Sequence, residues 1–109
     1  MQGQKMARYK IRTSSRADAM LLAHADFLSQ VSPTAARKLL LELGRSKKVI
    51  ARTPFIFPYA DEFDAPGMPS ETYRKCGFSG RYKVLFLVEG RNVYIDAIID
   101  SRQENAELF

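Results

Sequence analysis

Five basic residues in the last third of the chain, Arg74, Lys75, Arg81, Lys83 and Arg102, are of the types that hold a phosphate. Arg and Lys present fixed donors to negative charge. Arg81 and Lys83 are two residues apart, so on a strand they share one face. Arg74 and Lys75 precede them and Arg102 follows, so neighbouring antiparallel strands would gather the group into one patch. The same charges would equally serve as a solvated face that guards a sheet against edge-on association. Lys47, Lys48 and Arg52 form a second basic group. They either grip nucleic-acid phosphates, with an affinity that falls as salt rises, or remain a solvated face.

Other reactive side chains point away from catalysis. His24 is the only histidine, and histidine is the usual proton shuttle near neutral pH. It falls within an apolar helical stripe and reads as a hydrogen-bonded packing residue. Asp96 and Asp100 share strand parity, and pairing with Arg or Lys on adjacent strands is favoured over a carboxylate pair. Cys76 has no nearby histidine or asparagine signature of a thiol nucleophile and reads as structural. One cysteine excludes an internal disulfide and suits a reducing compartment. One Cys and one His are too few for a protein-built zinc site, so no metal or cofactor is expected.

The elements that must position these groups follow from length and periodicity. The 109 residues suffice for one compact domain, 1–109, with residues 1–6 and 104–109 expected as flexible tails. An apolar share of 46% permits a real core. Seventeen Lys/Arg against twelve Asp/Glu leave +5, which fits contact with polyanions or serves solubility alone. No run approaches the roughly 18 apolar residues that span a bilayer. Met1-Gln2-Gly3-Gln4-Lys5 has no hydrophobic run behind it and is no secretion signal. A cytoplasmic protein without membrane partners is the expectation.

Alternation of Ala7, Tyr9 and Ile11 with Arg8, Lys10 and Arg12 predicts a half-buried strand with a basic outer face. Ser15 followed by Asp18 resembles a capping box. A helix is predicted over 17–29, with the stripe Ala17, Met20, Leu21, His24, Phe27, Leu28 and Val31. Ser32-Pro33 signals a second helix, Ser as N-cap and Pro at the first position. Its stripe is Ala36, Leu39, Leu40, Leu43 and Ile50, Gly44 is a possible bend costing about 1 kcal/mol against Ala, and Pro54 ends it. Four prolines among aromatics over 53–70 predict a loop packed onto the body. Strands are predicted over 72–78, 81–88 and 93–100, the last two joined by the turn at 89–92. Val93, Ile95, Ala97 and Ile99 should line one face of the final strand. This order predicts an α+β fold: an antiparallel sheet covered on one side by a helical hairpin.

In this order of elements and in several motifs, the chain resembles the RelE/ParE superfamily. The likeness rests on β-α-α-β-β-β in about 100 residues, on Tyr73-Arg74-Lys75, and on Arg81-Tyr82-Lys83-Val84-Leu85-Phe86-Leu87-Val88. It continues through a glycine turn to Val93-Tyr94-Ile95-Asp96-Ala97-Ile98-Ile99-Asp100-Ser101-Arg102-Gln103. Many members carry "YRxL", "RYRVLYEV" and a closing "DGRQD" or "HGRRD". The resemblance covers about residues 7 to 105. It implies the toxin of a type II toxin–antitoxin module, partnered by a cognate antitoxin. RelE-like members cut mRNA on the ribosome without a metal, as endoribonucleases, whereas ParE-like members poison DNA gyrase; fold alone does not choose between them. An inactive member is a third reading. By the resemblance, Lys83 matches the basic position of the RNA-cleaving strand, and Arg81, Lys83 and Arg102 are the catalytic candidates. Arg74 and Lys75 would support them, with Lys47, Lys48 and Arg52 as further nucleic-acid contacts. An exposed apolar groove would suit an amphipathic antitoxin helix. Two positions depart from the ribonuclease pattern: Gln103 stands where a second basic residue is common, and Phe109 where some members end in tyrosine. Glu104, Tyr82 and Tyr94 are possible substitutes for the proton-transfer group.

Overall fold

A computed structural model describes residues 8–60 and 71–101. The expected tails, and with them Arg102, Gln103, Glu104 and Phe109, lie outside the described residues. The elements are β1 (Lys10–Thr13), α1 (Ser15–Val31), α2 (Pro33–Arg52), a 3-10 turn (Pro54–Ile56), β2 (Arg74–Phe78), β3 (Tyr82–Glu89) and β4 (Asn92–Asp100). The β-α-α-β-β-β order and the α+β class are those the sequence predicts.

Helix ends follow from hydroxyl caps. Ser14, in extended conformation, accepts from the Ala17 N–H at 3.0 Å, so the cap is one residue before the expected Ser15. A serine there satisfies a donor that has no partner within the helix. Asp18 still sits in the first turn, where the helix dipole favours it. Ser32 caps α2 through the Ala35 N–H at 3.2 Å, and Pro33 follows as predicted. Helix α2 runs unbroken through Gly44, because Leu39, Leu43 and Ile50 are buried on both sides of it.

The sheet order is β1-β4-β3-β2. The β2–β3 and β3–β4 pairs are antiparallel as expected, but β1 joins β4 in parallel, making the sheet mixed. The helical hairpin carries the chain from β1 back across the sheet, so β1 enters the edge in the direction of β4. The opposite edge, on β2, is covered by residues after α2. There the Lys75 N–H donates to the Pro58 carbonyl at 2.9 Å and the Ala60 N–H to the Tyr73 carbonyl at 2.7 Å. Covered edges do not recruit other strands.

One irregularity sets the side-chain pattern. Leu85 pairs with Ala97 and Phe86 with Ile95, so Asp96 is an extra residue in β4. A bulge of one residue reverses strand parity beyond it. Val93, Ile95 and Ile98 therefore join the core under the helices, with Ala17, Leu39, Leu43, Ile50, Val84 and Phe86. Ala97 and Ile99 turn to the other face, packing with Ala60, Tyr73 and Leu85. The single face expected for Val93, Ile95, Ala97 and Ile99 is thus split. The helix stripes are also narrower than predicted: Phe27, Val31 and Leu40 are exposed, while Leu21 and Leu28 pack against the core. A two-helix layer on one sheet has only one covered side, and these residues lie off its seam.

Candidate functional site

The β2–β3 hairpin builds a cleft at one end of the sheet. Ser79 and Gly80 both have positive φ, 58° and 70°, which turns the chain tightly between Phe78 and Tyr82. Arg81 leaves this turn beside the end of β4, where the Ser101 N–H donates to the Arg81 carbonyl at 2.6 Å. Gly77 lies across from Lys83 in the β2–β3 ladder, and Ile99 across from it in β3–β4. With no side chain at Gly77, an open depression of about 400 Å³ remains, lined by Gly77, Phe78, Ser79, Gly80, Arg81, Tyr82, Lys83 and Ser101. The structure thus brings Arg81 and Lys83 together in one cleft.

Arg81 is held in place by a buried carboxylate. Its Nε and Nη2 donate to Asp100 Oδ2 at 3.1 and 2.8 Å, and the Asp100 side chain is only 7% exposed. Bonding to Asp100 pushes the guanidinium pKa up. The guanidinium also lies 5.3 Å from the centre of the Tyr82 ring. Two of its five N–H donors go to Asp100, leaving three on the other edge. The expected pairing of Asp100 with a cation of the adjacent strand is therefore present.

The remaining basic residues are distributed more widely. Lys75 opposes Leu85, two register positions from Gly77 and Lys83, on the same sheet face as Lys83. Arg74 points to the opposite face and away from the cleft. Its Nη1 donates to the Phe57 carbonyl at 2.7 Å and its Nη2 to the Tyr59 hydroxyl at 2.9 Å. It pins the loop after α2 to the sheet. Lys47, Lys48 and Arg52 lie along the last turns of α2. Arg52 follows Ala51, whose carbonyl accepts from the Tyr9 N–H at 2.9 Å. That contact lies at the Glu89–Asn92 end of the sheet, about 23 Å of strand from Arg81. The two basic groups are separate surfaces.

Several polar groups escaped sequence reading. Tyr73 donates its hydroxyl to the Asp96 carboxylate, so Asp96 pairs with a tyrosine rather than with Arg or Lys. Burial first, then the hydrogen bond and charge of Asp96, push the Tyr73 pKa up to about 12, with Arg16 opposing. The bulge aims Asp96 at Tyr73, and nothing in the local sequence marks it. His24 packs as expected: its Nε2–H donates to the Ile98 carbonyl at 2.8 Å, and its ring lies 5.1 Å from Tyr82. Burial raises the Cys76 pKa, which keeps the thiol protonated and unreactive. Among the described residues no cluster of His, Cys, Asp and Glu could hold a metal ion, and no helix is long and apolar enough to cross a membrane.

Comparison with known proteins supplies a fold. No family model and no curated protein matches the sequence. Among solved structures, a chain described as "Chromosomal ParDE TA system from P. aeruginosa" superposes with a TM-score of 0.65 at 18% identity. The match covers 87% of this chain and 98% of that one. The arrangement of two helices on a four-stranded mixed sheet is a RelE/ParE-like fold.

Proposed function

We propose that this protein is the toxin of a type II toxin–antitoxin module, one domain over residues 1–109 that acts in the cytoplasm. The observation that carries this reading is the Arg81–Lys83 cleft, set in a fold shared with a ParDE chain. The antitoxin would cover apolar helix surface that the sheet leaves bare: Leu22, Val31 and Leu41 are 69, 74 and 64% exposed. An amphipathic segment laid on such a surface buries its own apolar face at the same time.

The favoured target is mRNA on the ribosome. Without a metal, cleavage needs the ribose 2′-hydroxyl to give up its proton and attack the adjacent phosphate, the 5′-oxygen of the next nucleotide to leave and take up a proton, and fixed cations to stabilise the charge in between. Arg81 offers its outer edge and Lys83 its ammonium from the same cleft, and Arg102 would complete the set. Lys75 and the Lys47, Lys48 and Arg52 group would steer RNA phosphates, while Arg74, bound to Phe57 and Tyr59 on the opposite face, takes no part in the cleft. A second reading is a gyrase poison that acts by binding alone. It is favoured by the cleft lining, which among the described residues holds no His, Asp or Glu to move a proton.

Induced expression without antitoxin should arrest bacterial growth and leave cuts in translated messages, and Lys83→Ala with Arg81→Ala should abolish both. Intact messages accompanied by gyrase-linked DNA breaks would establish the second reading. Unimpaired growth under strong expression would overturn both.

A further inference from the structure

We propose that the end of the sheet opposite the cleft carries a second binding site, for the bases and phosphates of single-stranded nucleic acid. Separated segments meet there. Tyr9 precedes β1, Phe55 and Tyr59 follow α2, Arg74 opens β2 and Arg91 occupies the β3–β4 turn. Backbone bonds lock the first and last together: the Lys10 N–H donates to the Arg91 carbonyl at 2.8 Å.

Their side chains form one row of cations and rings. The Arg91 guanidinium lies 5.7 Å from the Tyr9 ring centre. The Tyr9 and Phe55 rings meet edge to face, 5.9 Å apart at 86°. Arg74 then lies 5.1 Å from the Phe55 centre and 4.1 Å from that of Tyr59. Phe55 is 57% and Tyr59 37% exposed, and neither belongs to a core cluster. The rings at the cleft differ: Phe78 and Tyr82 are buried.

A ring left in water has little to gain from being fixed, because exposed cation–π contacts are weak. Here Arg74 fixes two of them, braced by its bonds to the Phe57 carbonyl and the Tyr59 hydroxyl. The result is two fixed rings facing solvent, Phe55 and Tyr59, backed by the half-buried Tyr9, with the exposed cation Arg52 nearby in the chain and the exposed Arg91 beside Tyr9. Bases stack on such rings whatever their identity, and the flanking cations take the phosphates. An acidic amphipathic peptide is the competing occupant, since Ile56, 68% exposed, adjoins the rings. Planar, cation-braced rings favour bases over aliphatic side chains. This site does not depend on the cleft or on its proposed role.

The test is fluorescence anisotropy of labelled ten-nucleotide uridine and thymidine strands with the full chain. Binding that weakens as salt rises is expected. Phe55→Ala and Phe55→Leu should both weaken it about tenfold, because leucine fills the space without offering a stacking face. Circular dichroism checks that each variant is folded. A strand carrying 4-thiouridine should crosslink to Tyr9, Phe55 or Tyr59, and should still do so in Arg81→Ala with Lys83→Ala. Tighter binding of one strand assigns the site to RNA or to DNA. Unchanged affinity in both Phe55 variants overturns the proposal. So do crosslinks confined to the β2–β3 hairpin, or capture of a glutamate-rich peptide with neither strand bound.

Discussion

At the Arg81 end of the sheet the cation is tied to a carboxylate that is almost fully buried, and the neighbouring rings are buried with it. At the other end Arg74 lies on the exposed rings of Phe55 and Tyr59, and Arg91 on the half-buried ring of Tyr9. One end orients a guanidinium by an ion pair and leaves its outer edge for a ligand. The other uses guanidinium groups to hold rings still. Equal charge types thus build a point of phosphate contact in one place and a stacking surface in another, and the difference is set by whether a buried acid lies within reach.

Function should separate the ends most sharply. Removing Arg81 and Lys83 together should lower toxicity, or message cleavage, at least a hundredfold, the usual scale for losing donors to a charged transition state. Arg91→Ala should leave cleavage at the cleft within a few-fold, as measured by end mapping of messages after induction.

Stability should separate them next. Arg81→Ala withdraws a guanidinium from a buried carboxylate and should cost about 2 kcal/mol in urea unfolding. Arg91→Ala removes only a solvated cation–π contact and should cost about 0.5 kcal/mol.

Between the ends, Tyr73 and Asp96 tie β2 to the bulge in β4. Tyr73→Phe should cost about 1 kcal/mol near neutral pH. The Tyr73 proton is bound more tightly in the fold than in the unfolded chain, where tyrosine titrates near 10. Its stabilisation is therefore complete below pH 10 and is lost as pH rises through about 12. Urea midpoints should fall across that window in the wild type and fall less in Tyr73→Phe.

The last comparison is between two glycines. Gly80 and Gly90 have φ of 70° and 60°, so alanine at either should cost about 1 kcal/mol. Only Gly80→Ala should also weaken oligonucleotide binding at the cleft, because it redirects the turn that delivers Arg81.

Much of the fold was legible from local chemistry. Ser32-Pro33 marks the start of α2, the alternation from Tyr82 to Val88 marks β3, and Pro54 marks the end of α2; of the loop expected over 53–70, residues 61–70 lie outside the described residues. The parallel edge pairing was not legible, since neither β1 nor β4 carries a sign of its partner's direction. Nor was the bulge at Asp96, a single inserted residue in an otherwise regular strand that reassigns Ala97 and Ile99. For the site, period-two spacing anticipated that Arg81 and Lys83 would share a location. It could not anticipate that Arg74 would be occupied by Phe57 and Tyr59, because that loop arrives from 15 residues away. The Tyr9–Phe55–Arg74–Arg91 row joins segments too far apart in sequence for any spacing rule to connect.

The cleft's capacity to hold a phosphodiester can be measured without any assumption about the target. The full chain, labelled with nitrogen-15, would be titrated with a short RNA in which every 2′-hydroxyl is methylated, so that it binds without being cut. The Arg81 Nε–H and the amides of Gly80, Lys83 and Ser101 should shift together and saturably, and the shifts should vanish in Lys83→Ala. If those signals stay fixed while the RNA binds elsewhere, the cleft is a solvated surface and the proposed chemistry has no seat.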